Sequence, residues 1–155
     1  MEKQFEPQAH SSAFQSAARE FGKRSVIVLL VGDIVTLLLF TYIGQRDHEL
    51  IDAANPLAGV LKAFLPFLLA WLAAAFAMGA YKVSEQDMEW RTALGRSFMA
   101  WMIAAPLGVV LRALWLDRAV IPTAFLLAAF GFGGAMLLTW RILYILVWHR
   151  VRHRA

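Results

Sequence analysis

A single carboxylate, Asp33, stands in the middle of the apolar run VIVLLVGDIVTLLLFTYI (residues 26–43), with no other charge on either side. A carboxylate at membrane depth is costly, and its default chemistry is proton coupling, cation binding or pairing with a buried guanidinium. Arg141, set in the last apolar run, supplies that guanidinium. Structural pairing of Asp33 with Arg141 is the preferred reading, and a carboxylate free for transport is the alternative. A second polar group is predicted at the opposite side of the membrane. Arg112 continues the line Ala100, Ala104, Gly108 at four-residue spacing, so it turns toward the other helices or the adjoining loop. Its expected partners are Asp47, Glu49 and Asp52.

Other residue types invite chemistry that their spacing does not support. A bis-histidine haem needs ligands on facing helices within the bilayer, but His10, His48, His149 and His153 all fall outside the apolar blocks or at their ends. His149 and His153 share a helical face, yet Arg150, Arg152 and Arg154 surround them and would repel a cation. The run Arg46-Asp47-His48-Glu49 with Asp52 holds metal-ligand types, but consecutive residues do not converge on one ion without an unusual turn. That run reads as a solvated loop. There is no cysteine, which excludes disulfides, thiolate metal sites and cysteine nucleophiles. No phosphate-binding glycine loop, recognisable Ser/His/Asp arrangement or pair of carboxylates in one span is present. The sequence therefore predicts no catalytic residues, no metal site and no cofactor, and a protein that is not an enzyme.

The elements that must hold these residues follow from composition. The chain has 155 residues, 60% of them hydrophobic, with a mean hydropathy of +0.58, against roughly 45–50% apolar for an ordinary soluble domain. The excess lies in four blocks, residues 25–43, 57–81, 97–116 and 120–148. A hydrocarbon core of ~30 Å needs ~20 helical residues, so each block can cross. Strands of a membrane barrel would instead alternate apolar and polar residues over segments of ~10. The fold predicted is all-α, an integral membrane four-helix bundle, flanked by a tail of residues 1–24 and a basic tail of residues 149–155. The polar start of the chain argues for a retained first span rather than a cleaved leader. Ala13, Phe14, Ala17, Ala18 and Phe21 interleave with polar residues, as in a helix lying on the membrane surface or a loosely ordered tail. Pro66 and Pro106 predict kinks.

Charge sets the expected orientation. Eleven of the fifteen lysines and arginines fall at the two ends of the chain and between the second and third blocks. The positive-inside rule makes that side cytoplasmic, with both termini on it. The net charge of +4 thus serves topology and lipid headgroups rather than nucleic acid. Depth supports the ion pair: Asp33 lies ~13 Å beyond Arg24 and Arg141 ~12 Å before His149 at 1.5 Å per residue. Small residues at close spacing predict tight helix packing: Ala70, Ala73, Ala74, Ala77 and Ala80 in the second span, and Ala129, Gly133, Leu137 and Arg141, with Gly131 and Gly134 adjacent, in the fourth.

The stretch GDIVTLLLF (Gly32–Phe40) with Gly44, Arg46 and His48, the pair Pro66-Phe67, and Arg112-Ala113-Leu114, Pro122, Phe125 and Trp140-Arg141 together resemble an uncharacterised bacterial and archaeal membrane family, domain of unknown function three-thousand-fifty-four. The resemblance spans about Val26 to Arg141. It implies a four-span protein of the bacterial or archaeal plasma membrane and adds no mechanism. Two functions are compatible with the sequence. One is an accessory or structural subunit of a larger membrane complex, a respiratory or photosynthetic one for instance, in contact with lipid and with membrane-protein partners or a second copy. The other is a small dimeric transporter using Asp33 as the coupling carboxylate. Small multidrug transporters share four short spans and a first-span carboxylate, but have shorter tails and no arginine corresponding to Arg141.

Overall fold

The computed structural model describes residues 7–47, 56–117 and 123–152. Among them every regular element is helical: α1 (Pro7–Asp47), α2 (Pro56–Ala77), α3 (Trp90–Trp115), α4 (Thr123–Ala128), a π-helical turn (Ala129–Gly133) and α5 (Gly134–Arg152). Four stretches are long and apolar enough to cross a membrane: Arg19–Arg46, Leu57–Ala77, Trp90–Trp115 and Thr123–Arg152. The fourth combines α4, the π turn and α5. Neighbours around the bundle are α1 with α2, α2 with α3, α3 with α5, and α5 with α1.

Helix ends depart from the apolar blocks because capping, not hydropathy, sets them. α1 and α2 both open on a proline, whose fixed φ and missing N–H suit a first turn. α1 has begun well before the apolar block, so residues 7–24 form its first turns rather than a separate element. The side chains that give the tail its apolar rhythm, up to Ala18, lie outside the described residues. α3 starts seven residues before Ser97, where the Glu89 carboxylate accepts from the Thr92 amide at 2.9 Å. α2 stops at Ala77, short of the expected Tyr81. Gly79 takes φ +68°, the Ala80 amide donates to the Ala75 carbonyl at 2.8 Å, and that of Gly79 to Phe76 at 3.1 Å. This is a Schellman ending, with glycine in the left-handed position that disfavours a Cβ. Both α2 and α3 continue through their prolines, Pro66 and Pro106.

Inside the bundle, side chains pack as the membrane setting requires, by close fit rather than exclusion from water. The line Ala100, Ala104, Gly108 is buried, and so are Ala129, Gly133, Gly134, Leu137 and Arg141. In α2 the inward stripe runs through Val60, Ala63, Phe67, Ala70, Trp71, Ala74 and Ala75. Ala73 and Ala77 lie off it on the outer flank and are exposed, as is Gly131 in the fourth span. At the π turn the Trp101 indole donates to the Phe130 carbonyl at 3.2 Å. A Cβ on Gly133 or Gly134 would come within 2.8 Å of the Trp101 ring, so these glycines form its seat. The outward faces carry large apolar side chains, among them Ile27, Val31, Val35, Leu143, Leu146 and Val147.

The end of the bundle that holds the N-terminal part of α1, the α2–α3 link and the C-terminal part of α5 is cross-tied by polar contacts. Tyr144 donates to the Ser25 carbonyl at 3.3 Å, Arg152 pairs with Glu85 at 2.9 Å, and Arg96 pairs with Asp87 at 2.5 Å. Hydrogen bonds from the Ser84 hydroxyl and Arg96 hold the Asp87 carboxyl below its ordinary range.

Candidate functional site: a buried ion pair

Asp33 is fully buried and Arg141 nearly so, at 0% and 3% exposure. The Arg141 fork meets the carboxylate at two points, Nε to Oδ1 at 3.1 Å and Nη2 to Oδ2 at 2.5 Å. Its remaining nitrogen, Nη1, donates to the Ala80 carbonyl at 2.7 Å. Oδ2 of Asp33 also accepts from the Tyr81 hydroxyl at 2.6 Å and from the Trp71 indole at 2.9 Å. The same indole lies 3.2 Å from the Tyr81 hydroxyl oxygen. The guanidinium carbon sits 5.0 Å from the Tyr81 ring centre and 5.5 Å from that of Trp71. One carboxylate is thus held by α1, α2, the link after α2, and α5.

Local sequence explains how the partners reach it. Gly79 ends α2 and turns the chain inward, which brings the Ala80 carbonyl and the Tyr81 hydroxyl to the charges. Trp71 is on the inward stripe of α2 two turns earlier. Beside the ion pair, a Cβ on Gly32 would lie 1.9 Å from Cζ2 of Trp140. The dipeptides Gly32-Asp33 and Trp140-Arg141 therefore dock as a unit: the glycine leaves room for the indole, and that approach lets the charges meet. A bidentate, fully hydrogen-bonded pair offsets the large cost of dehydrating two charges. Its chemistry is that of a clamp. A coupling carboxylate has to exchange its partner, whereas here that exchange breaks contacts with three side chains at once.

Sequence reasoning placed Asp33 and Arg141 at one depth but passed over Trp71, Tyr81 and the Ala80 carbonyl. The second apolar block runs through Tyr81, which hides its role; the signal for it is Gly79 just before.

Arg112 is half-buried near the far end of α3, its guanidinium 4.5 Å from the centre of the Phe125 ring. Glu49 and Asp52, two of its expected partners, lie outside the described residues, as do the side chain of Asp47, His48 and His153. Arg112 lines a cavity of about 260 Å³ together with Gln45 and four phenylalanines. Among the described residues no group of three or more His, Asp or Glu converges as a metal would require.

A family described as protein of unknown function (DUF3054) has a sequence profile that matches residues 30–144. No curated protein and no solved structure matches the chain.

Proposed function

We propose, for a chain that belongs to the DUF3054 family, the role of a non-catalytic accessory subunit within a larger assembly of the bacterial or archaeal plasma membrane. The observation that carries this reading is the saturated Asp33: both oxygens are engaged, and Arg141, Tyr81 and Trp71 supply the donors. Such a carboxylate fixes helix positions, and the transporter alternative needs one that releases its partner. The outward rows of Ile, Val and Leu on α1 and α5 supply faces for lipid and for neighbouring spans. Blue-native electrophoresis of the native membrane tests the proposal. Co-migration with a large complex supports it; a free dimer favours the transporter with Asp33 as its coupling carboxylate.

The orientation belongs to the same proposal, with both termini cytoplasmic. Arg141 is committed to Asp33 and drops out of the topological count, yet ten basic residues remain on the terminal side against four on the other. The chain has no cysteine, so single substitutions Gln8→Cys, Asp47→Cys, Glu89→Cys and Arg154→Cys report sidedness directly. An impermeant thiol reagent should label only Asp47→Cys in intact cells. Labelling of either terminal position overturns the orientation.

A further inference from the structure

The cavity at the end of the bundle away from the termini follows from the π turn. After that turn α5 packs against α1 and α3 and buries Gly134, Leu137 and Arg141. Before it α4 buries none of its six residues. The fourth span thus seals the bundle on one side of the turn and leaves space on the other. Phe40 of α1, Phe67 of α2, and Phe125 and Phe132 of the fourth span line that space. Their rings stand close: Phe40 and Phe67 at 5.5 Å, Phe67 and Phe125 at 6.2 Å, Phe40 and Phe132 at 6.3 Å. Turns of this kind recur at functional sites.

The polar side chains among the described wall residues are committed to the protein. The Thr41 hydroxyl donates to the Leu37 carbonyl at 2.8 Å, and Gln45 Nε2 to the Gly59 carbonyl at 2.9 Å. Gln45 Oε1 is covered by protein and faces no open space. Arg112 lies over the Phe125 ring at 4.5 Å and has a further interaction of its own. What the wall offers an occupant is hydrocarbon: the phenylalanine rings, Ile43 and Ala128. A polar head would give up its water there without a partner, which is costly. An apolar guest loses nothing.

The mouth decides which guest is at hand. Ala128 and Phe132 in the wall are exposed, as are Leu127 and Gly131 beside them, on a stretch long and apolar enough to cross a membrane. The cavity therefore opens sideways, between α1 and α4, into the bilayer. Phe40 to Ile43 are the last turn of the first apolar block, so the opening lies among chains that hang from the nearer headgroups. An apolar cavity of ~150 Å³ holds benzene, and in proportion about 260 Å³ takes on the order of ten carbons. That is a segment of one chain and too little for two.

We propose that this cavity holds one acyl chain of a bilayer phospholipid, which enters between α1 and α4 past Ala128 and Phe132 and leaves its headgroup outside. The site is separate from the ion pair, and the proposal does not depend on which complex the chain joins.

Photolabelling of the full chain in phosphatidylcholine nanodiscs tests it. One probe is a phosphatidylcholine with a diazirine on an acyl chain; a second carries the diazirine on the headgroup. Phe40 is only 6% exposed and lines the cavity, so a carbene reaches it from inside. Mass spectrometry should find the chain probe on Phe40 and Phe125 as well as on the outward Leu143 and Val147. The headgroup probe should leave Phe40 unlabelled. Ala128→Trp fills the mouth from an exposed position. It should remove the Phe40 and Phe125 adducts and keep those on Leu143 and Val147, with the unfolding temperature at the wild-type value. Wild-type protein without adducts on Phe40 overturns the proposal, as does labelling of Phe40 by the headgroup probe or labelling that survives Ala128→Trp. Complete disulfide pairing of Ala128→Cys between two copies in native membranes would give the mouth to a second copy and overturn it too.

Discussion

At the level of Asp33, both carboxylate oxygens have donors, and a Cβ added to Gly32 collides with Trp140. Twelve residues further along α1, ~18 Å away, Gln45 lines a cavity, its Oε1 has no hydrogen-bond partner among the described residues, and none of these lies within 4 Å of the position a Cβ on Gly44 would take. The first, second and fourth spans contribute to both regions, and α3 adds Arg112 to the second. The difference is in what each side chain completes. In the first region charge, ring and glycine interlock, so nothing can be exchanged without loss. In the second, four phenylalanines line open space. A tightly fitted ion pair and an open cavity are therefore combined in one short bundle.

The contrast breaks most visibly at the ion pair. Asp33→Asn or Arg141→Gln alone should each destabilise the protein by ~3–5 kcal/mol, because the surviving group stays buried without its partner. The double substitution should cost less than the sum, and less than either single change. Equilibrium unfolding in detergent micelles measures this as a double-mutant cycle. Strict additivity would show that the two side chains contribute independently.

Next in size is the hydroxyl that supports the carboxylate. Tyr81→Phe should cost ~1.5–3 kcal/mol, the range for hydrogen bonds to charged groups. Gln45→Leu, which removes one hydrogen bond and one unsatisfied oxygen together, should stay within about 1 kcal/mol of wild type. Equal losses from the two changes would erase the distinction between the regions.

A pair of glycine substitutions sharpens the comparison through sign. Gly32→Ala forces the Trp140 ring to move and should cost ~1–3 kcal/mol, as overpacking does. Gly44→Ala meets no neighbour among the described residues and sits in α1, so the helix gains up to ~1 kcal/mol from the better helix former. Opposite shifts in unfolding temperature are the expected outcome.

The smallest effect lies outside the spans. The Ser84 hydroxyl and then Arg96 lower the pKa of Asp87. Its contribution to stability is full above the unfolded carboxylate value of ~3.9 and is lost as pH falls through the lower folded value. At a solvated ion pair this amounts to less than ~1 kcal/mol. Asp87→Asn should remove that part of the acid dependence in a pH series of unfolding curves, and a slope that survives the substitution assigns it to another group.

How far sequence could reach differs between the two regions. Asp33 and Arg141 are legible because each is a lone charge in an apolar run, and helical rise alone matches their depths. Trp71 and Tyr81 are not, since their roles depend on where α2 stops, and that is decided by one left-handed glycine inside an alanine-rich stretch. Gln45 falls outside the first apolar block because hydropathy drops after Ile43, whereas α1 runs on to Asp47. Ala73 and Ala77 show the limit of composition: small residues can line a packed face or decorate an outer one. The cavity itself comes from shapes on several helices and has no signature in any one segment. Yet Phe40, Gly44, Phe67, Arg112 and Phe125, all among the residues that carry the family resemblance, meet in its wall.

The ion pair joins residues 108 positions apart in the chain, and that separation has a consequence for how the protein is made. At ~5–20 residues per second, α1 is complete roughly 5–20 s before Arg141 is added. During that interval the aspartate has no guanidinium. On the insertion scale a central Asp costs ~2.5–3.5 kcal/mol, while each Leu, Ile, Val or Phe returns ~0.3–0.6. Residues 26–43 contain thirteen such side chains, enough to outweigh the aspartate, so the first span enters the bilayer unaided. Insertion and assembly are then separate events: the spans arrive one by one, and closure of the charge pair marks the moment when the last of them docks.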